Sequence, residues 1–160
     1  MRLKFWQKCI LFIANVLYPC KIYGKENVPD GRAIIVSNHF SVIDAVNYLN
    51  ISKTRPNYLA KKEITNNKLL GKIIQSFGAI PIDRDKPDMK AMLSVIRVLK
   101  DNEKVIIFPE GTRNKTGTTE LQDIKGGSGV FSVKTKAPIV PAMLLSKPRI
   151  FRKTKIIIRK

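Results

Sequence analysis

Asn38-His39-Phe40-Ser41-Val42-Ile43-Asp44 holds the only histidine of the chain, with a carboxylate five residues beyond it. An imidazole titrates near physiological pH, and a carboxylate within reach fixes its tautomer and stabilises the protonated form during reaction, so His39 and Asp44 can form a general-base pair. Spacing restricts how they meet. On one continuous helix, residues five apart lie about 140° apart on the wheel and do not touch. His39 is therefore expected in the turn before a helix, with Asp44 in its first turn.

The flanking residues can position the pair in that way. Ala33 to Val36 is a short apolar run typical of a buried strand, and from Ser41 an apolar pattern runs through Val42, Ile43, Val46 and Leu49. This predicts a strand, a turn and a helix. Ser41 with Asp44 three residues on also forms a capping box, which satisfies free helix amides and requires no catalysis. On this stretch alone both readings stand.

Other strand ends repeat the arrangement. Arg55 to Lys61 predicts a short strand running into a basic turn. Leu69, Leu70, Ile73, Ile74 and Phe77 recur at helical spacing, predicting a core stripe closed by Gly78. Ala79-Ile80-Pro81-Ile82 predicts an edge strand, because proline cannot donate to a sheet ladder, and it delivers Arg84. Pro87 opens a helical pattern through Met92, Val95, Ile96 and Leu99, and Val105 to Phe108 predicts a central strand that delivers Glu110-Gly111-Thr112-Arg113. After a polar loop at 114–120, Lys125 to Gly129 predicts a flexible helix start, since the Walker spacing of a phosphate loop is absent. A helix to Lys136, a strand over 138–144 and a run at 156–158 complete the pattern.

Alternating strands and helices predict a single α/β domain with a central mixed sheet flanked by helices, and sites on such folds lie just beyond strand ends. His39, Arg84 and Arg113 all fall there. Each arginine also has a plain reading as a surface ion pair, with Asp83 or Asp85 for Arg84 and Glu110 for Arg113. No Gly-x-Ser-x-Gly elbow supports a serine hydrolase.

Composition narrows the partners. The 160 residues include 30 Lys and Arg against 12 Asp and Glu, a net charge of +18, and after Asp123 there are ten basic residues and no acid. An anionic partner is expected: lipid headgroups, nucleic acid or an acidic carrier protein. Cys9 and Cys20 have no metal-ligand spacing, so no metal is expected and they read as free thiols of a reducing compartment. The apolar run from Phe5 to Tyr18 spans about 21 Å as a helix, short of a hydrocarbon core of about 30 Å. It fits an amphipathic interfacial helix, with Trp6 and Tyr18 at headgroup depth, over 1–22, ahead of a main domain at 23–160. A helix packed on the core and a cleaved secretory signal are the alternatives, although no small-residue cleavage site follows.

Read together, NHFSVID at 38–44, GAIPIDR at 78–84, FPEGTR at 108–113 and IVPAML at 139–144 resemble the four ordered blocks of the glycerolipid acyltransferase family, the 1-acylglycerol-3-phosphate acyltransferase type. The resemblance covers roughly residues 24–145. It implies that His39, with Asp44, is the base on the free sn-2 hydroxyl of a lysophospholipid, which attacks an acyl thioester of acyl carrier protein or coenzyme A and gives phosphatidic acid, with no bound cofactor. It further implies that Arg84, Glu110, Gly111, Thr112 and Arg113 bind the acceptor's glycerol phosphate and that Pro141 borders the donor. A peripheral position on the anionic cytoplasmic face of the cell membrane follows, with no role for nucleic acid. Two departures stand out: Pro81 occupies a place where the family more often has a larger apolar residue, and the chain stops at Lys160 inside an apparent strand where members usually continue, so it is either a compact version or a fragment. Another lysolipid acceptor, or a non-catalytic basic module that binds membrane or RNA, is the alternative reading.

Overall fold

The computed structural model describes residues 3–114 and 127–159. Helix α1 (Phe5–Leu17) leads into β1 (Cys20–Tyr23), and β2 (Ala33–Val36) into α2 (Ile43–Tyr48). Then come β3 (Asn57–Lys61), the single turn α3 (Lys62–Thr65), α4 (Lys68–Ser76) and β4 (Ala79–Ile82). Helix α5 (Met89–Lys100), β5 (Lys104–Ile107), α6 (Gly127–Thr135), β6 (Ile139–Leu144) and β7 (Thr154–Ile158) complete the fold.

Among the described residues all seven strands join one sheet in the order β1-β7-β6-β2-β5-β3-β4. From β6 to β4 the five neighbours are parallel, while β7 runs antiparallel to β6 and β1 runs parallel to β7. The mixed α/β sheet expected from the alternation is present. Helices cover both faces: on one, Ile35, Tyr48, Ile106 and Phe108 pack with Leu11 of α1, and on the other, Ile34, Val105 and Ile107 pack with Val95 and Leu99 of α5 and Phe131 of α6. Sheets buried on both faces need continuous apolar strands, which is why Ala33-Ile34-Ile35 and Val105-Ile106-Ile107 do not alternate.

Several boundaries are set by side chains that cap backbone amides. Asn67 opens α4 by accepting from Leu69 N at 3.1 Å and Leu70 N at 2.9 Å. Asp88 opens α5 with Oδ1 on Ala91 N at 3.0 Å, so Pro87 stands one residue before the cap and not inside the first turn. These hydrogen bonds, with the one from Asp83 N foremost, hold the Asp88 carboxyl below the usual carboxylate range. Gly78 follows α4 at φ +91°, and a Cβ there would stand 2.9 Å from Asn57 Oδ1, so glycine is required.

The structure corrects two sequence expectations. The stripe on α4 is only partly core: Ile73, Ile74 and Phe77 pack inward, but Leu69 and Leu70 are exposed, since only the second half of this short helix lies against the core. The edge strand β1 went unnoticed, because four residues of Cys-Lys-Ile-Tyr carry little pattern and their pairing with β7 is remote in sequence; it begins at Cys20, inside the 1–22 segment. The run at 156–158 does find partners, β6 on one side and β1 on the other. Of the predicted helix start at Lys125 to Gly129, residues 125 and 126 lie outside the described residues.

The two faces of helix α1 differ in their surroundings. Gln7 Nε2 donates to Ser76 O at 2.8 Å, Leu11 is buried and Trp6 meets Phe77 edge-on at 6.0 Å, so one face is docked on the domain. Phe5, Phe12, Ile13 and Val16 on the other face are exposed. Among the described residues no helix is long and apolar enough to cross a membrane.

Candidate active site

The five parallel strands end at one edge, and there β2, β4 and β5 deliver His39, Arg84 and Glu110. His39 lies in the turn between β2 and α2 and Asp44 in the first turn of α2, as the spacing required. His39 Nδ1 stands 2.9 Å from Asp44 Oδ2, and the same oxygen accepts from Phe40 N at 2.6 Å and Ser41 N at 2.7 Å. Asp44 is fully buried. The carboxylate also reaches back to Ser41 as in a capping box, while Ser41 Oγ makes only a long 3.4 Å contact with Ile43 N. Since the carboxylate can only accept, the neutral form of the ring carries its hydrogen on Nδ1 and its lone pair on Nε2.

His39 is held at three further points, one on its ring and two on its backbone. Its ring stacks on Phe108 with centroids 4.1 Å apart and planes 17° apart. Glu110, itself buried, accepts from His39 N through Oε1 at 3.1 Å, and Asn114 N donates to His39 O at 2.6 Å. Asn38 next to it exchanges two hydrogen bonds with the Leu144 backbone at the end of β6, at 2.9 and 2.8 Å. Ser37 bonds the Tyr48 hydroxyl, and Tyr48 meets Phe108 edge-on; burial pushes the Tyr48 hydroxyl pKa upward. Sequence reasoning gave no role to Ser37, Tyr48, Phe108 or Asn114; the signal within reach was the paired polar Ser37-Asn38 at the end of a buried strand.

Arg84 Nη1 donates to the carbonyl of Gly111, where the chain turns at φ +65°. Burial first, and then the nearby charge of Arg113, push the Arg84 pKa down, with Glu63 opposing. The two guanidiniums are thus near enough for their charges to oppose each other. The surface-pair readings are not what forms: Asp83 pairs with Lys86 at 3.7 Å, Glu110 turns to His39, and neither arginine joins an ion pair among the described residues. Thr112 and Arg113 are exposed beside Gly111. Asp88 also accepts from Asp83 N at 2.9 Å and so ties the Arg84 turn to α5. Pro141 stands apart from this cluster, exposed on β6 opposite Val36, its carbonyl taken by Arg159 N at 3.1 Å.

A cavity of about 290 Å³ opens next to this cluster, lined by Arg84 and Gly111 at its polar part and by Leu59, Met92, Phe108 and Phe131 elsewhere. Among the described residues no cluster of His, Cys, Asp or Glu could hold a metal ion.

The sequence model of the acyltransferase family matches residues 19–145 of this chain. The chain belongs to that family. A Bacillus subtilis relative called 1-acyl-sn-glycerol-3-phosphate acyltransferase is 34% identical over 141 residues, which are 87% of this chain and 69% of that protein. A relative of the same description from Limnanthes douglasii is 36% identical over 138 residues, 84% of this chain and 48% of that protein. The chain thus spans about half the length of the plant acyltransferase. The crystal structure of PlsC, the 1-acyl-sn-glycerophosphate acyltransferase of Thermotoga maritima, superposes with a TM-score of 0.70 at 24% identity, covering all of this acyltransferase chain and 72% of the other, and so shares its fold.

Proposed function

We propose that this acyltransferase moves a fatty acyl group from a thioester of acyl carrier protein or coenzyme A to the sn-2 hydroxyl of 1-acylglycerol-3-phosphate, forming phosphatidic acid. The observation that carries the reading is the 2.9 Å contact of His39 Nδ1 with a buried carboxylate at the edge where the parallel strands end. Nε2 takes the proton of the acceptor hydroxyl, and the oxygen attacks the thioester carbonyl. The C–S bond breaks, and the departing sulfur takes the proton back from the imidazolium, which Asp44 stabilises meanwhile. Arg84 and Arg113 hold the phosphate, with Gly111 and Thr112 beside them. Glu110 serves the site through the His39 amide, since a second carboxylate next to a phosphate would repel it. The apolar part of the cavity suits an acyl chain, and Pro141 borders the donor side.

The acceptor and product are membrane lipids. The exposed face of α1 and the excess of Lys and Arg suit peripheral docking on an anionic surface, each basic residue near it contributing about 1 kcal/mol. A cytoplasmic location at that membrane is part of this reading, and there cysteines such as Cys9 and Cys20 stay reduced.

Purified protein given lysophosphatidate and an acyl thioester should release thiol and form phosphatidic acid. A panel of other lysolipids as acceptors, with acyl carrier protein and coenzyme A thioesters as donors, fixes the substrate pair. No thiol release with any pair, or undiminished turnover after His39→Ala, refutes the reading.

A further inference from the structure

We propose that the turn between β6 and β7 is a second membrane anchor, a wedge of Ile150 and Phe151 set between Arg149 and Arg152 that inserts into an anionic bilayer beside α1. It rests on the membrane-bound acceptor proposed above and adds an element to its docking.

The turn has the form of a presenting loop. Arg152 N donates to Arg149 O at 3.1 Å and the two arginines form an antiparallel bridge, so the residues at the tip are Ile150 and Phe151. A soluble tip normally carries Gly, Asn or Asp. Here the two tip residues are apolar and exposed, Phe151 by 71%. Phe151 also sits at φ +57°, a left-handed conformation that bulky residues rarely adopt. Nothing in the domain core accounts for the exposed aromatic ring at this strained position.

Placement supplies the partner. Phe151 N donates to Leu17 O at 2.7 Å, which ties the tip to the last turn of α1, next to exposed Ile13 and Val16. The apolar face of the helix and the tip are thus neighbours, a larger exposed apolar surface than single scattered residues would give. The tip also follows β6, whose last residue Leu144 is bonded by the Asn38 side chain, so it emerges at the edge of the sheet that carries His39. Around it Lys147, Arg149, Arg152 and Lys153 are exposed, and the sequence after Asp123 has no acid to neutralise them. Apolar residues at a tip ringed by cations match the boundary between anionic headgroups and acyl chains, where the body of an arginine lies along the apolar zone and its guanidinium stays with the phosphates.

The test is flotation of the whole chain with vesicles of two parts phosphatidylcholine to one part phosphatidylglycerol, without acceptor or thioester. Phe151→Gly relieves the left-handed strain, so its melting temperature should equal or exceed that of the parent while vesicle binding falls about ten-fold, the loss of one inserted aromatic. Arg149→Gln with Arg152→Gln should bind more weakly and with less dependence on salt. In Trp6→Phe with Phe151→Trp, the new indole should be quenched by bromine-labelled lipid. Unchanged flotation of Phe151→Gly, an unquenched indole, or a loss of RNA binding in place of vesicle binding overturns the proposal. Turnover separates it from the enzymatic reading. Phe151→Gly should lose activity on acceptor in vesicles and keep it on a water-dispersed short-chain acceptor. Tip-dependent flotation with no turnover on any substrate refutes the acyltransferase reading alone, while full turnover with tip-independent flotation refutes the anchor alone.

Discussion

The sheet buries a charged side chain at each edge, and the two are built differently. At the amino-terminal edge, Lys104 opens β5 almost wholly buried, its Nζ donating to Asp30 O at 3.0 Å and Thr54 Oγ1 at 2.9 Å. Burial pushes its pKa down, with Asp30 opposing. At the carboxyl-terminal edge, Asp44 is equally buried, but one of its three donors is an imidazole. The ammonium is satisfied by neutral oxygens that cannot take its proton, whereas the carboxylate orients a group whose second nitrogen can exchange one. Burial of a charge, which is costly at both edges, does not mark a catalytic site. The mark is a buried charge that aims a second titratable group.

The sharpest way to break the contrast is His39→Ala, which removes the exchanging group and leaves the Asp44 contacts to Phe40 and Ser41. Acyl transfer should fall about a thousand-fold, the scale of a lost general base. Asp44→Asn comes next and acts on both chemistry and fold: turnover should drop about a hundred-fold, and stability by about 1–3 kcal/mol as charge-assisted bonds to two backbone amides weaken. Rate assays paired with chemical denaturation separate the two variants. An Asp44→Asn protein of unchanged stability would show that the carboxylate does not brace the turn.

Arg84 probes the carboxyl edge at its second strand. Arg84→Gln should raise the KM for lysophosphatidate about ten- to a hundred-fold, the worth of a charged hydrogen bond, with kcat less affected. Arg84→Lys should recover only part of this, since an ammonium lacks the two-pronged geometry. A loss confined to kcat would place the arginine in the chemical step instead.

How much of this the chain discloses depends on the range of the forces involved. Ala33 to Val36 and Val105 to Phe108 read as buried strands because apolar runs are local, and five-residue spacing places His39 in a turn ahead of the helix that holds Asp44. The choice between a cap and a site at 38–44 rests on the distant blocks at Arg84 and Arg113. Cys20–Tyr23 was invisible, its place decided by pairing with a strand more than 130 residues later. Leu69 and Leu70 have the right spacing for a core stripe, but where a short helix stops touching its sheet is a tertiary fact. Glu110 reads as a partner for Arg113 from proximity along the chain, yet it bonds the His39 amide, a contact between the ends of two neighbouring strands. Phe151 shows the same limit, since nothing local announces a left-handed phenylalanine.

The smallest expected effect on catalysis is at the amino-terminal edge, and it is the control that gives the contrast its meaning. Lys104→Met keeps the length of the side chain and removes the charge. Turnover should stay within about two-fold, because no titratable group of the site is oriented by the ammonium. The stability change near neutral pH should not exceed about 1–2 kcal/mol, since the loss of two hydrogen bonds is offset by no longer burying a charge. The pH dependence is more telling. With the folded pKa of Lys104 below the unfolded value of about 10.4, the unfolded chain binds more protons between the two. Native stability should therefore rise with pH through that alkaline window in the parent, and this rise should vanish in the variant. If Lys104→Met instead cost turnover as much as Asp44→Asn, the two edges would be coupled and the distinction between a sealed charge and an aimed one would fail.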